Sequence, residues 1–122
     1  MTFINDIHYF RIPVTNLEES IDWYTNCLRL KLRRRKEDEL AVIEICEGGS
    51  LLVLVRADED SRGHFTINNN PEFSVGFTSP EIHKFYEYLI GKGVKVDEIK
   101  EESGHFYFHF FDPNGNKLQA HW

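Results

Sequence analysis

Cysteine is scarce in this sequence of 122 residues, which holds only Cys27 and Cys46 and has no Cys-x-x-Cys motif. Two isolated cysteines cannot build a disulfide framework, and chains without one are typical of reducing compartments, so we expect a cytoplasmic protein. Long apolar runs are also missing, since none approaches the roughly 18 residues of a membrane-spanning helix. We therefore expect no membrane partner. Residues 1–6 are not followed by the apolar stretch of a secretory signal, so we expect no secretion either.

Basic residues are the minority charge, with 14 Lys and Arg against 20 Asp and Glu, and the formal net charge is −6. Nucleic-acid-binding proteins usually carry the opposite sign, so no nucleic-acid partner is expected. Hydrophobic residues make up 41% of the chain and aromatic residues 14%, which is a globular composition rather than a disordered one. A chain of this length can bury a core without crosslinks, and we expect a single domain over residues 1–122.

The order of secondary-structure elements is predicted to occur twice along the chain. In the first half, alternation of side chains predicts a strand, apolar residues at helical spacing predict an amphipathic helix, and three more strand-like segments follow. These elements are a strand over Ile7–Ile12, a helix over residues 17–28, and strands near Lys31–Arg35, Leu40–Cys46 and Leu51–Arg56. Together they define a first βαβββ module over residues 1–56.

The second half repeats this order after a polar segment. Its predicted elements are a strand over Phe73–Thr78, a helix that opens at Ser79 and Pro80 and stops at Gly91, and strands over Val94–Ile99, Phe106–Phe111 and Lys117–Trp122. The second module therefore spans residues 72–122, and residues 57–71 are interpreted as a linker. Neither module can bury its own sheet face alone, so the two are expected to pair.

Three stretches of the sequence resemble one known superfamily. They are the opening IHYFRIPVTNLEESIDWYTNCLRLKL, the segment SVGFTSPEIHKFYEYLIGKGVKV and the closing FFDPNGNKLQ. All three resemble the vicinal oxygen chelate superfamily, which includes glyoxalase I, extradiol dioxygenases, fosfomycin-resistance transferases and bleomycin-binding proteins. The resemblance implies an α+β fold in which two tandem βαβββ modules form a curled mixed sheet around a cavity, the glyoxalase/bleomycin-resistance/dioxygenase fold. It also implies a homodimer, because a second subunit often completes the cavity in that family.

Members of that superfamily hold a divalent metal at four inward-facing positions, typically occupied by His and Glu. The resemblance puts the first position at His8, the second in the apolar segment Leu51–Val55, the third at Ser74 (or Phe73 with a slip of one residue), and the fourth at Gln119. An aliphatic side chain offers no donor, and a neutral amide is a weaker ligand than a carboxylate. We therefore expect no metal cofactor, and the alternative is Zn, Ni, Mn or Fe bound by an altered ligand set.

The histidines of the last two predicted strands offer a different ligand set. Alternation puts Tyr107 and His109 on one face of their strand, and Gln119 and His121 on one face of the next. If both faces point inward, His8, His109 and His121 form a three-imidazole zinc site. The interpretation we favour is that they are pocket or surface histidines without a metal.

Charged residues also allow two interpretations. Arg56 either enters the cavity and binds an anionic ligand or marks the point where its strand meets water. The run Arg33–Lys36 either binds an anion or, as we favour, forms a charged strand end that discourages edge pairing. Asp97 and Glu98 are interpreted as part of a solvated turn.

Three functions are compatible with these observations. The preferred hypothesis is a protein that binds a small organic molecule in its cavity without the family's usual catalytic metal. The alternatives are a metal-dependent lyase, isomerase or dioxygenase with an altered ligand set, and a scaffold or sensor domain with a vestigial cavity. No residue is assigned a catalytic role, and the candidate cavity residues are His8, Arg56, Ser74, Tyr107, His109, Gln119 and His121.

Overall fold

The computed structural model of the chain describes residues 2–122, which form two compact units divided in sequence between Ser61 and Arg62. Each unit contains one four-stranded mixed sheet, and the spatial order of the four strands is the same in both: first, fourth, third, second. This repetition confirms the predicted α+β fold with two tandem βαβββ modules. Within residues 2–122, no helix has the length and apolar character needed to cross a membrane.

The first unit is built from four strands and one helical segment. Its elements are β1 (Tyr9–Val14), α1 (Leu17–Asp22), a π-helical segment that continues α1 (Trp23–Cys27), β2 (Lys31–Lys36), β3 (Leu40–Glu44) and β4 (Leu51–Arg56). β1 pairs in parallel with β4, whereas β4 with β3 and β3 with β2 are antiparallel pairs. α1 begins where it does because Asn16 Oδ1 accepts a hydrogen bond from the Glu19 N–H at 3.0 Å, and Glu18 and Glu19 complement the helix dipole.

Alternation along these strands separates the two faces of the first sheet. The face on the side of α1 carries the fully buried side chains, and α1 contacts both β3 and β4. The buried residues are Ile12, Val14, Ala41, Ile43, Leu52 and Leu54 on the strands, with Leu17, Ile21 and Tyr24 on the helical segment. Burying each such aliphatic side chain contributes about 1.5–3 kcal/mol, so this face is the core of the unit. The opposite face carries Arg11, Val42 and Val53.

The second unit repeats the architecture and adds a short hairpin. Its elements are β5 (Phe65–Ile67), β6 (Asn70–Glu72), β7 (Val75–Thr78), α2 (Ile82–Gly91), β8 (Lys100–Glu102), β9 (His105–Phe111) and β10 (Lys117–His121). β10 lies between β7, with which it is parallel, and β9, with which it is antiparallel. α2 begins later than predicted because the Ser79 N–H donates to the carbonyl of His121 at 2.9 Å, so Ser79 belongs to the sheet rather than to the helix cap.

The β5–β6 hairpin lies where the sequence was interpreted as a linker. Asn68 and Asn69 form its two-residue turn with φ angles of 50° and 67°. Asparagine adopts this left-handed conformation more easily than most residues, which suits it to such turns. The three asparagines in residues 57–71 therefore belong to a hairpin within the second unit.

Phenylalanines of β9 form the core of the second unit. Phe108 and Phe110 have no exposed surface, and α2 covers them: the ring of Phe85 lies 5.8 Å from that of Phe108 and 5.7 Å from that of Phe110. Tyr86 adds an edge-to-face contact with Phe108 at 5.0 Å. The alternate residues Tyr107 and His109 consequently lie on the face away from α2, which confirms the predicted division of faces.

The strand predicted over Val94–Ile99 is replaced by an extended segment with a single bridge, between Val96 and Phe110. Its main chain still follows β9, because the Phe111 N–H donates to the carbonyl of Lys95 at 3.0 Å. The regular ladder stops because the N–H of His109 donates to the carboxylate of Asp97, at 2.7 Å, instead of to a main-chain carbonyl. β8 therefore begins only at Lys100.

A buried polar cluster connects the turn after β9 to residues 62–64. The carboxylate of Asp112 accepts hydrogen bonds from the N–H of Asn114 and from the N–H and side-chain amide of Asn116, all at 2.8–2.9 Å. Asn116 Oδ1 in turn accepts from the Gly63 N–H at 2.7 Å. Next to it, His64 Nδ1 accepts from the Lys117 N–H at 2.9 Å, so the imidazole of His64 must be neutral at this nitrogen.

This arrangement predicts a pH-dependent stability that depends on His64. Burial lowers the pKa of His64 below its ordinary value of 6.5, and the positive charges of Arg62 and Lys117 lower it further, although Asp112 opposes them. The contribution of His64 to the free energy of unfolding is complete above the pKa of this residue in the unfolded chain. It is lost as the pH falls from 6.5 towards the pKa in the folded protein, because over this range only the unfolded chain takes up the proton. We expect the urea concentration at the unfolding midpoint to decrease when the pH is lowered from about 8 to about 5. The decrease should be smaller in His64→Gln. Glutamine can accept the same hydrogen bond without titrating, so equal pH dependence in the two proteins would contradict the assignment.

Candidate functional site

A groove of about 680 Å³ lies on the face of the first sheet away from α1. Strand register aligns Arg11, Val53, Val42 and Arg34 across β1, β4, β3 and β2. Leu40, Val42, Leu51 and Val53 form an apolar floor, and the rest of the lining consists of His8, Tyr9, Arg11, Arg33 and Arg34. The groove thus combines an aliphatic base with an aromatic and strongly cationic border.

The cationic border depends on an irregularity in β2. The pairing of β2 with β3 shifts register between Leu32 and Arg34, which is a β-bulge. A regular strand would direct Arg33 and Arg34 to opposite faces, but a bulge leaves an extra residue on one side, and both arginines line the groove. Alternation alone would place one of these two arginines at the groove, and the bulge adds the second.

Ion pairing distinguishes these arginines from Arg35, Lys36 and Arg56 of the first unit. Arg35 pairs with Glu18, Arg56 pairs with Asp38, and Lys36 lies 3.1 Å from Glu39. By contrast, Arg11, Arg33 and Arg34 make no ion pair with any residue in the range 2–122. Within residues 2–122, no aspartate or glutamate lines the groove.

Two of the sequence-predicted site residues belong to the first unit, and the structure does not bring them together. His8 lies at the border of the groove, where its ring is 5.4 Å from that of Tyr9. Arg56 instead lines a neighbouring depression of about 600 Å³, where Asp38, Glu39 and Asp58 surround it with negative charge. Its guanidinium is engaged by Asp38 and is not part of the groove.

The five other predicted residues belong to the second unit. On the sheet face away from α2, His109 of β9 pairs with Gln119 of β10, and Tyr107 pairs with His121. Ser74 is exposed in the residues just before β7, outside this ladder. Gly76 gives Gln119 its space, since a Cβ at Gly76 would lie only 3.3 Å from Gln119 Oε1.

His109 is held by a carboxylate that the sequence analysis assigned to solvent. Asp97 Oδ2 lies 2.8 Å from His109 Nδ1, while Oδ1 accepts the main-chain N–H of the same residue at 2.7 Å. A carboxylate only accepts hydrogen bonds, so Nδ1 carries a proton that it donates to Asp97. The ring of Phe73 lies 5.3 Å from the imidazole, and the histidine side chain is 13% exposed. Asp97 was interpreted as part of a solvated turn; it lies in an extended segment, and its side chain, although 38% exposed, binds His109.

Side chains that could bind a metal ion are dispersed. In residues 2–122, no group of three or more His, Cys, Asp and Glu side chains is arranged to hold a metal ion. Of the four positions where the resemblance puts ligands, only His8 has a side chain that commonly binds a divalent metal. Leu51–Val55 is apolar, and Ser74 and Gln119 are neutral. These donors do not fit a divalent ion, which needs several nitrogen, oxygen or sulfur ligands.

Sequence reasoning missed Arg11, did not favour the anion-binding interpretation of the run that contains Arg34, and found no partner for Asp97. The alternation of β1 and β2 places arginines on the non-core face, and this signal was available. The cross-strand alignment of Arg11 with Arg34 depends on register, which the sequence does not specify. The contact between Asp97 and His109 spans twelve residues and has no local motif.

Comparisons with known proteins were made for family, curated sequence and structure. The family model described as Glyoxalase/Bleomycin resistance protein/Dioxygenase superfamily matches residues 6–120. No curated protein matches the chain significantly.

Several solved structures share the fold. A superfamily member from Sphaerobacter thermophilus is 19% identical with a TM-score of 0.80, over 98% of both chains. TnmS3, an antibiotic binding protein from Streptomyces sp. CB03234, is 19% identical with a TM-score of 0.77, over 98% of this chain and 97% of the other. The lactoylglutathione lyase from Agrobacterium tumefaciens is 16% identical with a TM-score of 0.73, over 97% and 93%. Similarity at these identities establishes the fold alone.

Proposed function

Because the chain belongs to the Glyoxalase/Bleomycin resistance protein/Dioxygenase superfamily, we propose that it binds a small organic molecule without that family's usual catalytic metal. The observation that carries the proposal is the groove on the first sheet. Its volume of about 680 Å³ lies within the range of sites for small molecules. Its apolar floor with a few polar groups at the border is also typical of such sites, because burial provides affinity and the polar groups orient the ligand.

The chemistry of the donors supports binding without a metal. β4 presents aliphatic side chains to the groove at Leu51 and Val53, where a metal site requires nitrogen or oxygen. Gln119 supplies a neutral amide at the position where the resemblance expects a carboxylate. His8 would provide a single ligand, and a divalent ion needs three or four.

A relative of the same fold gives the proposal a precedent. TnmS3 is described as an antibiotic binding protein, so the fold can serve binding. The lactoylglutathione lyase shows that the same fold also hosts an enzyme, so the fold does not decide between the two. The argument therefore rests on the groove and the missing donors of this chain.

We extend the proposal to a cytoplasmic homodimer. Cys27 and Cys46 are thiols and form no disulfide, which is typical of proteins in reducing compartments. Phe3, Ile4 and Ile7, which are close together in the sequence, are 95%, 78% and 60% exposed, and exposed apolar side chains are typical of a surface that a partner covers. A second copy of the chain is the partner that the resemblance implies.

Binding in the groove is tested with phenylnaphthylamine, a neutral apolar fluorescent probe, and two variants of a floor residue. Val42→Trp fills the groove with a large side chain, whereas Val42→Ile adds a single methylene group. We expect the Trp variant to weaken probe binding by about tenfold or more and the Ile variant to change it little. Equal affinity in all three proteins would overturn the proposal that the groove is the binding site.

The metal part of the proposal is tested by elemental analysis after incubation with Zn²⁺, Ni²⁺, Mn²⁺ or Fe²⁺ and desalting. We expect a content well below one metal ion per chain in every case, because the donors do not fit. Near-stoichiometric metal that is lost in His8→Ala would instead favour the metal-dependent alternative.

A further inference from the structure

We infer that the ligand of the groove is an organic anion, an apolar body that carries a carboxylate, sulfonate or phosphate group bound by Arg11, Arg33 and Arg34. The inference rests on the proposed function of the groove and specifies the chemical class of its ligand. Three observations carry it: the convergence of the arginines, their lack of counterions, and the apolar floor between them.

The arginines converge from opposite edges of the sheet. Arg11 lies on β1 and Arg34 on β2, aligned through Val53 and Val42 of the two strands between them. Three strand spacings separate their main chains by about 14 Å, and both side chains line the same groove. Arg33 joins them through the β-bulge. A planar anionic group above Val42 and Val53 can therefore meet guanidinium groups from both sides.

Ion pairing within the first unit leaves the groove arginines available to an anionic ligand. Arg35 and Arg56 are each paired with a carboxylate, although both are substantially exposed. The groove arginines have no such partner among residues 2–122, in a chain whose net charge is −6 and where carboxylates outnumber basic groups. Three like charges repel one another, and an oxyanion relieves this repulsion by accepting two parallel hydrogen bonds from a guanidinium.

The floor determines what the anion is attached to. Leu40, Val42, Leu51 and Val53 offer no hydrogen bonds, so the part of the ligand that covers them is apolar. A dry apolar base also strengthens the attraction between the arginines and an oxyanion, because the local dielectric constant is lower than in water. The neighbouring depression around Arg56 shares Arg11 and Leu40 with the groove, but it also contains Asp38, Glu39 and Asp58, and this negative charge does not favour an anion.

The test compares two fluorescent probes that share one aromatic body. Anilinonaphthalene sulfonate carries an anionic group, and phenylnaphthylamine is its neutral counterpart. We expect the sulfonate to bind at least about tenfold more tightly, and Arg11→Gln and Arg34→Gln each to weaken its binding by about tenfold. Binding of the neutral probe should stay within about twofold in both variants. Circular dichroism verifies that each variant is folded.

Lys31→Gln is the matched control, because Lys31 is an exposed cation on the same strand that does not line the groove. It removes one charge and should leave the affinity for both probes unchanged. If Lys31→Gln weakens the sulfonate as much as Arg34→Gln does, the effect comes from the general charge of the protein, and the inference is overturned. Arg11→Lys should have an intermediate effect, because lysine keeps the charge but loses the paired hydrogen bonds.

Competition separates the anionic groups and tests the inference again. Naphthoate and naphthyl phosphate should displace the sulfonate probe, and their order of affinity identifies the preferred oxyanion. Neutral naphthalene methanol should compete at least about tenfold less well. Equal competition by the alcohol would overturn the inference.

The failures of the two proposals are distinguishable. If both probes bind equally well and Val42→Trp weakens both, the groove binds small molecules without preference for an anion. In that case the proposed function stands and the inference fails. If neither probe responds to Val42→Trp, the groove itself is not a binding site, and both proposals fail.

Discussion

Replacing Phe108 by alanine is expected to destabilise the second unit by about 3–5 kcal/mol, the range for removing a large aromatic side chain from a packed core. Phe108 has no exposed surface, and its ring contacts those of Phe85, Tyr86 and Phe110 within 5.9 Å. The three neighbours come from α2 and from Phe108's own strand, so collapse of the cavity would require α2 to move towards β9. The loss combines the transfer free energy of the ring with the free energy of the residual cavity.

The measurement is urea unfolding followed by circular dichroism, with amide hydrogen exchange of β9 and β10 to locate the effect. Ile90→Ala is the matched control on α2, because Ile90 is 47% exposed and its truncation leaves no cavity. We expect the control to lose less than about 1 kcal/mol. Equal losses in the two variants would contradict the role of Phe108 in joining α2 to the sheet.

Replacing Asp97 by alanine is expected to have the second largest effect, a loss of about 2–3 kcal/mol together with a change in the chemistry of His109. The carboxylate accepts two hydrogen bonds from His109, one from the main chain and one from the ring. Its removal leaves a main-chain N–H of β9 without its acceptor. It also frees the ring, so that the proton can move from Nδ1 to Nε2.

Nitrogen NMR of the imidazole separates these two effects. In the unmodified protein, the neutral form of His109 should carry its proton on Nδ1, and in Asp97→Ala it should shift towards Nε2. Asp97→Asn is the control, because an amide oxygen can still accept one of the two hydrogen bonds, and both effects should be intermediate. A tautomer that does not change in either variant would show that Asp97 does not orient the ring.

Much of the fold is predictable because the alternation of side chains along a strand indicates which face of the sheet is buried. The alternation of Phe106, Phe108 and Phe110 with Tyr107 and His109 predicts which face α2 covers, and the structure agrees. Turn chemistry predicts the tight turn over residues 112–116, where Asp112 accepts hydrogen bonds from the residues that follow it. These signals are local, so one sequence suffices to read them.

The candidate site is less predictable because it depends on register and on distant pairs. Arg11 and Arg34 are 23 positions apart, and only the strand order β1-β4-β3-β2 aligns them across the groove. The basic run Arg33–Lys36 looks uniform in the sequence, yet Arg35 and Lys36 are paired with carboxylates and Arg33 lines the groove. Similarly, nothing local distinguishes Asp97 from Glu98. Side-chain direction at a bulge and pairing across a sheet are tertiary properties.

The strand order has a consequence for the synthesis of the chain. In each unit the strand that is made last lies inside the sheet: β4 separates β1 from β3, and β10 separates β7 from β9. While a ribosome adds residues one by one, the earliest strand of a unit waits without its neighbour until the final strand emerges. A chain that is released before Lys117 therefore has a complete first sheet, but in its second unit β7 and β9 each lack the strand that joins them. Such a truncated product would expose the unpaired edges of β7 and β9, the kind of surface that chaperones and proteases recognise.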